Sequence, residues 1–305
     1  MRLKNRIIMS MVGLPAFTLV ILLILTSSLS LAAGLIQIKG SDTEVNAVQR
    51  MAEVYMQRYK GAAIAVTGGG SGVGIAAIIN RTTDLANSSR AMKAQELQQA
   101  KANGVDPIGI VFAIDGLSVI VNPANKVKTL TLDQIGQVYR GEIKNWSQVG
   151  GPNLPVTLYG RQPNSGTFIF FRETVVRGDY AQTMNQMNGN AQIVEAVKRD
   201  KGGIGYVGVG YVVDDKGRVT PGLKVLNVAK DKNSKALSPT DAKNIESGAY
   251  PIVRPLYQYF DKANKGKVDG FVRFELSPEG QNIISKQGFF PVAAEYKRYN
   301  ARYGF

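Results

Sequence analysis

Four short segments rich in glycine and hydroxyl side chains interrupt the sequence, each between an apolar strand pattern and a helical pattern. They are residues 40–43, 68–72, 87–90 and 161–167. After the first, apolar residues recur at three- and four-residue steps from Val45 to Tyr59, as on one face of a helix. Repeated strand, polar turn and helix predict an α/β layer architecture. Ligands of such folds bind beyond the carboxyl ends of the strands, so the four segments are expected to share one site.

The remaining patterns predict the order of the elements. Strands are predicted at residues 35–38, 63–67, 84–86, 108–112 and 203–207. Helices are predicted at 45–59, 92–102 and 277–287, and another opens at 75–79. Asp42 or Ser41 is expected to cap the first helix, since both residue types are favoured at that position.

Two long extended segments suggest two lobes. Residues 114–123 contain a glycine near their start, and residues 250–259 are interrupted by prolines. If both cross between lobes, one lobe comprises residues 34–114 with 250–305, and the other comprises 115–249. Two crossings imply a hinge and a cleft.

The first 33 residues have the pattern of a signal peptide. Arg2, Lys4 and Arg6 precede a nearly continuous apolar run over residues 7–25, and small residues follow. Cleavage is expected after Ala32 or Ala33. The alternative is an uncleaved membrane anchor, because the run approaches a spanning length. Both interpretations place the rest of the chain in a periplasmic or extracytoplasmic location.

The chain contains no cysteine and no histidine. This excludes Ser-His-Asp and Cys-His catalysis and removes the commonest transition-metal ligand. The net charge of +14 falls to +11 without residues 1–33. Basic chains often bind nucleic acid, but export argues against that partner. Interaction with an anionic envelope surface, or steering of a small anion towards a cleft, fits better.

The segment at 161–167 has the chemistry of an oxyanion site. It places Arg161, Ser165, Gly166 and Thr167 where a turn becomes a helix. The first backbone N–H groups of a helix have no intrahelical partner, and the helix dipole makes them electropositive. A guanidinium and two hydroxyls beside them can bind a tetrahedral anion. The alternative is an ordinary capped helix.

The glycine run and the segment at 87–90 offer further donors. The run lacks the Lys and Ser or Thr of a Walker motif and the dinucleotide spacing, so Ser71 and Gly72 are candidate anion ligands at a helix start. The alternative is a flexible surface loop. Ser89 and Arg90 are candidates as well, although Arg90 could instead pair with a neighbouring acid.

Ser41, Asp42 and Thr43 bring one carboxylate and two hydroxyls to another helix start. Asp42 either caps the helix or accepts a hydrogen bond from a protonated anion. Phosphate at neutral pH carries such a proton and sulfate does not. A carboxylate facing sulfate leaves lone pairs unbonded, at a cost of about 1–3 kcal/mol. We therefore expect Asp42 to favour phosphate.

Taken in order, these motifs resemble the phosphate-binding proteins of ABC transporters. The resemblance rests on Gly-Ser-Asp-Thr at 40–43, Gly-Gly-Gly-Ser-Gly at 68–72, Asp-Leu-Ala-Asn-Ser-Ser-Arg at 84–90, and Arg161 with Ser-Gly-Thr at 165–167. It implies a two-lobed periplasmic-binding-protein fold of type II that closes on one phosphate. It also implies donors from Ser41, Thr43, Ser71, Gly72, Ser165, Gly166 and Thr167, with Arg161 as the cation. Well-studied members carry an aspartate near the position of Ser89, and we expect Asp42 to replace it as proton acceptor.

The leading interpretation is a non-catalytic protein, expected to be a monomer without cofactor or metal, that captures inorganic phosphate and delivers it to an ABC permease. A phosphatase on the same scaffold is a second possibility, but no nucleophile–base pair is evident. An anchored envelope phosphate sensor is a third. Among binding proteins, sulfate, molybdate and tungstate remain alternative ligands.

Overall fold

The computed structural model describes residues 34–214 and 216–305, so the predicted signal segment lies outside the described residues. Its strands, in chain order, are β1 (Leu35–Gly40), β2 (Ala63–Gly69), β3 (Leu85–Ser88), β4 (Pro107–Gly116), β5 (Ser118–Val121), β6 (Thr129–Thr131), β7 (Thr157–Arg161), β8 (Asn185–Met187), β9 (Gly203–Val207), β10 (Lys224–Val225), β11 (Asn227–Ala229) and β12 (Val253–Asp261).

The α-helices alternate with these strands over most of the chain. In chain order they are α1 (Val45–Arg58), α2 (Ser71–Ile79), α3 (Ala94–Ala102), α4 (Leu132–Arg140), α5 (Gly166–Phe171), α6 (Asn190–Arg199), α7 (Ala242–Glu246), α8 (Lys265–Leu276), α9 (Pro278–Lys286) and α10 (Ala294–Ala301). Helix α5 continues directly into a π-helical turn at Arg172–Val176, and a 3₁₀ turn covers Val209–Tyr211. The predicted α/β alternation is therefore confirmed.

Two five-stranded sheets form the two lobes. The first has the strand order β2-β1-β3-β12-β4, in which β1, β2 and β3 are parallel and β12 runs antiparallel to both neighbours. The second has the order β10-β5-β9-β7-β8. Strands β6 and β11 form a small parallel pair beside it. Parallel strands joined by helices place the helix N-termini at one edge of each sheet.

The chain passes between the sheets where extended crossings were predicted. Strand β4 ends in the first sheet at Gly116, and β5 begins in the second sheet after Leu117 alone. The return strand β12 pairs with β4 along its whole length, and Leu117 donates its N–H to Ile252 O at 2.9 Å. The two crossings thus form one antiparallel ribbon. The exact residues that bound the lobes stay a prediction.

One local prediction is wrong. Helix α1 begins at Val45 after Glu44, and neither Ser41 nor Asp42 caps it. Residues 42–44 form a turn instead, which leaves both side chains free to point elsewhere. Within the described ranges, the helices are too short or too polar to cross a bilayer.

Aromatic packing in the second lobe fixes the start of α5 over its sheet. Phe171 at the end of α5 stacks on Tyr206 of β9 with 4.0 Å between ring centroids, and Tyr139 of α4 contacts both rings edge-on. Such aromatic pairs contribute about 0.5–1.5 kcal/mol beyond their buried area. The Tyr206 hydroxyl also accepts the N–H of Arg161 at 3.2 Å. The core therefore determines where the 161–167 segment lies.

Gly74 allows α2 to pack closely against the end of β1. A Cβ atom there would lie 2.6 Å from Lys39 O and 2.8 Å from Gly40 Cα, both backbone atoms that cannot move aside easily. We expect Gly74→Ala to lower the free energy of unfolding by about 1–3 kcal/mol, measured by urea denaturation. Gly266→Ala is the control, since its Cβ would meet no atom within 4 Å. Equal stability of the two variants would contradict this packing argument.

Candidate oxyanion site

Four hydroxyl side chains from four different segments meet between the lobes. Thr43 Oγ1 lies 2.9 Å from Thr167 Oγ1, which joins the turn after β1 to the first turn of α5. Ser71 Oγ, at the start of α2, lies 3.3 Å from Ser89 Oγ, and Ser89 Oγ lies 3.4 Å from Thr167 Oγ1. All four residues are buried. We call Thr43, Ser71, Ser89 and Thr167 the hydroxyl cluster.

Glycine is required where the lobes approach most closely. A Cβ on Gly166 would lie 2.4 Å from Ser71 Oγ and 2.8 Å from Ser89 Oγ. The glycine run also contacts the second lobe: Gly72 donates its N–H to Asn164 O at 2.9 Å, and Asn164 Nδ2 donates to Gly69 O at 3.0 Å. The run is therefore part of the interlobe contact rather than a free surface loop.

Arg161 is buried and paired with a carboxylate of the opposite lobe. Its side chain is 2% exposed, and Nη2 bonds Asp42 Oδ2 and donates to Asn188 O at 2.9 Å. Asp42 Oδ1 accepts the Gly69 N–H at 3.2 Å. Burial lowers the pKa of Arg161, and the charge of Asp42 opposes that shift. Arg161 Nε has no hydrogen-bond partner within the described ranges and is therefore a donor available to a ligand.

A second buried cation, which the sequence interpretation missed, lies beside the hydroxyl cluster. Arg254 and Asp115 are 1% and 0% exposed, with Nη2 and Nε of Arg254 at 2.7 and 2.9 Å from Asp115 Oδ2. The two residues face each other across β4 and β12. Each is the only charged residue in its predicted crossing segment, 114–123 or 250–259. That coincidence in the sequence could have identified the pair.

Arg254 reaches from the hinge ribbon into the site. Nη2 lies 3.1 Å from Thr167 Oγ1 and 3.4 Å from Thr43 Oγ1, and Nη1 donates to Ser89 O at 3.2 Å. Asp115 Oδ1 accepts the Val209 N–H of the second lobe at 2.9 Å. One ion pair therefore contacts the hinge, both lobes and the hydroxyl cluster.

The remaining predicted residues lie at or near this place. Ser165 Oγ accepts the Phe168 N–H at 3.4 Å, so Ser165 does cap α5, as the alternative interpretation held. Ser41 is buried in the turn after β1. Arg90 follows Ser89 directly, but its guanidinium makes a bidentate pair with Glu96 at 2.8 and 2.6 Å. The structure thus brings Arg90 near the site without directing its Nη groups into the hydroxyl cluster.

The arrangement is suited to a small oxyanion. It combines buried hydroxyls, the N-termini of α2 and α5, and an available guanidinium donor, with one carboxylate as acceptor. Groups of three or more acidic, cysteine or histidine side chains that could hold a metal are not found in the part of the chain that the structure describes. Two lobes joined by a hinge ribbon with a cleft between them are the architecture of solute-binding proteins that close on a ligand.

Comparison with known proteins identifies the family. The PBP superfamily domain profile matches residues 26–279. The chain is 31% identical over 274 residues to the phosphate-binding protein PstS of Pseudomonas aeruginosa, covering 84% of this chain and 82% of that protein. The chain belongs to the PBP superfamily and, within it, to the PstS phosphate-binding proteins. This confirms the resemblance that the motifs indicated.

Solved structures agree with this assignment. A putative phosphate ABC transporter substrate-binding protein from Clostridium perfringens, determined with bound phosphate, matches with a TM-score of 0.74 and 26% identity, over 84% of this chain and 99% of that one. An ABC-type phosphate transport receptor from Vibrio cholerae matches with a TM-score of 0.67 and 27% identity, over 84% and 100%. The predicted two-lobed periplasmic-binding-protein fold is confirmed.

The Asp115–Arg254 pair should dominate the stability of the hinge. We expect Asp115→Asn to lower the free energy of unfolding by about 3–5 kcal/mol, because it leaves the Arg254 charge buried without a counter-charge. Guanidinium denaturation followed by circular dichroism measures this. Asp106→Ala is the control: Asp106 lies 4.0 Å from Lys262 with both side chains about two-thirds exposed, and its loss should have little effect. A small loss for Asp115→Asn would contradict the expectation.

Proposed function

We propose that this chain captures inorganic phosphate in the cleft between its lobes and delivers it to the permease of an ABC transporter. The observation that carries the proposal is the buried hydroxyl cluster, contributed by both lobes and flanked by Arg161 and Arg254. Relatives are named for phosphate binding, and one was determined with phosphate bound. A protein that delivers its ligand must bind it without transforming it, so we infer binding rather than catalysis.

The proposed ligands are hydroxyl and backbone donors from both lobes together with one principal cation. Arg161 supplies that cation through Nε, which is not engaged in the described structure. A dianion removed from water needs such a fixed charge or many aligned dipoles. The proposed donors are Ser41, Thr43, Ser71, Gly72, Ser89, Ser165, Gly166 and Thr167.

Asp42 is the proposed acceptor for the proton of phosphate. It is 19% exposed, lies beside Thr43 in the chain and already accepts a backbone N–H from Gly69. Its charge is balanced by Arg161 across the cleft. One carboxylate among many donors discriminates against anions that have no proton to donate.

We further propose that the chain acts after export, as a periplasmic or extracytoplasmic protein. The basic start and apolar run of residues 1–33 support export. If the segment is removed, the protein is a freely diffusing carrier. If it is retained as an anchor, the protein is an anchored sensor. Mass spectrometry of the exported protein distinguishes the two, since cleavage after Ala32 or Ala33 gives a defined mass.

Replacement of Arg161 tests the proposed cation. We expect Arg161→Gln to weaken phosphate binding about 10- to 100-fold, since hydrogen bonds to charged groups contribute about 1.5–3 kcal/mol. Isothermal titration calorimetry with inorganic phosphate measures the affinity. Arg90→Gln is the comparison variant, and we expect a change of less than about threefold because Glu96 holds both Nη groups of Arg90 away from the hydroxyl cluster, although its Nε, like that of Arg161, has no partner within the described residues. A larger loss for Arg90→Gln than for Arg161→Gln would reverse the assignment.

Replacement of Asp42 tests the discrimination between phosphate and sulfate. Asp42→Asn supplies an amide that can donate to sulfate, so the ratio of phosphate to sulfate affinity should fall about tenfold or more. Competition of each anion against labelled phosphate gives this ratio directly, independent of any general weakening. An unchanged ratio would show that Asp42 is not the acceptor. Tighter binding of sulfate or molybdate than phosphate by the unmodified protein would refute the phosphate assignment itself.

A further inference from the structure

Glu44 is a third carboxyl group at the site, and the function proposed above does not use it. It follows Thr43 and immediately precedes α1. Its side chain is 0% exposed, and neither carboxyl oxygen has a hydrogen-bond partner within the described residues. A fully buried carboxyl group without partners is costly, and more so when it is charged. Its protonation state therefore matters for the neighbouring anion site.

The groups that act most strongly on Glu44 come from several elements of both lobes. Among the described residues, the cation that acts most strongly on it is Arg254 of β12, which is already paired with Asp115. The other groups add hydroxyls or further negative charge. They are Ser41 in the turn after β1, Asp115 of β4, Glu275 of α8, and Tyr211 of the 3₁₀ turn.

The charges of the site balance only when Glu44 is neutral. Arg161 pairs with Asp42, and Arg254 pairs with Asp115. An ionised Glu44 would give these five side chains a net negative charge before any anion arrived. Like charges held together away from water disfavour each other. A phosphate dianion would then bind next to more anionic than cationic side chains.

Burial raises the pKa of Glu44 well above its usual range. The nearby Ser41 hydroxyl and the Arg254 charge lower it, and Asp115 and Glu275 raise it further. A carboxyl group with a raised pKa keeps its proton to higher pH and loses it as the pH rises through that pKa. A bound anion adds one more negative neighbour and shifts the pKa of Glu44 upward again.

We propose that phosphate binding is linked to a proton on Glu44, so that the loaded protein holds Glu44 as an uncharged acid and its ionisation weakens phosphate binding. Glu44 is then a positioning residue that acts through the charge of the site. The inference rests on the phosphate-binding function proposed above.

The chain supplies a matched control in Glu275. It is equally buried and its pKa is also raised by burial. Unlike Glu44, it has a partner: Gln258 Nε2 donates to Glu275 Oε1 at 3.0 Å and to Asn87 Oδ1 at 3.1 Å. It lies on α8, and no hydrogen bond joins it to the hydroxyl cluster within the described residues. Because Glu275 also raises the pKa of Glu44, its replacement should lower the pKa of Glu44 without removing that carboxyl group.

The test compares the pH profile of the phosphate affinity of the unmodified protein with that of Glu44→Gln between about pH 6 and pH 10, so that the titration of phosphate itself, which both share, cancels. For the unmodified protein, we expect the phosphate affinity to fall by about tenfold per pH unit as the pH rises. The fall should begin at the pKa of Glu44 in the free protein and end at its higher pKa in the phosphate-bound protein. Glu44→Gln, which cannot ionise, should lose this fall relative to the unmodified protein. Glu275→Gln retains Glu44 and should keep the fall, moved to lower pH because Glu275 no longer raises the pKa of Glu44.

The outcomes separate the two proposals. No phosphate binding by the unmodified protein at neutral pH overturns the proposed function. Phosphate binding with the same slope in Glu44→Gln as in the unmodified protein overturns only the role of Glu44. If Glu44→Gln does not fold, calorimetry of the unmodified protein in two buffers with different ionisation enthalpies measures the protons taken up per phosphate. Uptake approaching about one proton supports the proposal, and no uptake across this range overturns it.

Discussion

The buried ion pair between Asp115 and Arg254 is the constraint on which the site depends. The two residues face each other across the strands that join the lobes, and both are almost completely removed from water. A buried charge must be paired, so neither residue can be moved without the other. Because Arg254 also contacts Thr43 and Thr167, the geometry of the hinge and that of the anion site are determined by the same guanidinium.

The charges around the cleft are compensated before an anion is considered. Asp42 neutralises Arg161 across the lobes, as Asp115 neutralises Arg254 at the hinge. In the proposed site, recognition therefore depends on oriented hydroxyls, helix N-termini and the unengaged Nε of Arg161 rather than on a surplus of positive charge. Such donors are fixed by packing, as the contact of Gly166 with Ser71 illustrates. Such a site would select an anion by its shape and by the number of protons it carries, rather than by its charge alone.

Local signals in the sequence predicted much of the fold and the hydroxyl cluster. Ser71 and Thr167 stand where a strand ends and a helix starts, and such junctions depend on neighbouring residues only. The predictions failed where the role of a residue depends on a partner far away in the sequence. Asp42 or Ser41 was expected to cap α1, but neither does, and Asp42 bonds Arg161, 119 residues away. Arg254 and Glu44 were missed because their roles depend on burial between elements from both ends of the chain.

The antiparallel ribbon of β4 and β12 has a mechanical consequence. Two separate tethers would let the lobes slide or rotate independently, whereas strands that are hydrogen-bonded to each other, with one register shift between Leu256 and Tyr257, resist shear along their length. The ribbon yields most easily by twisting and bending about one direction. Any opening of the cleft about this ribbon would therefore follow one path and bring Thr43 back to the same position opposite Thr167 on closing.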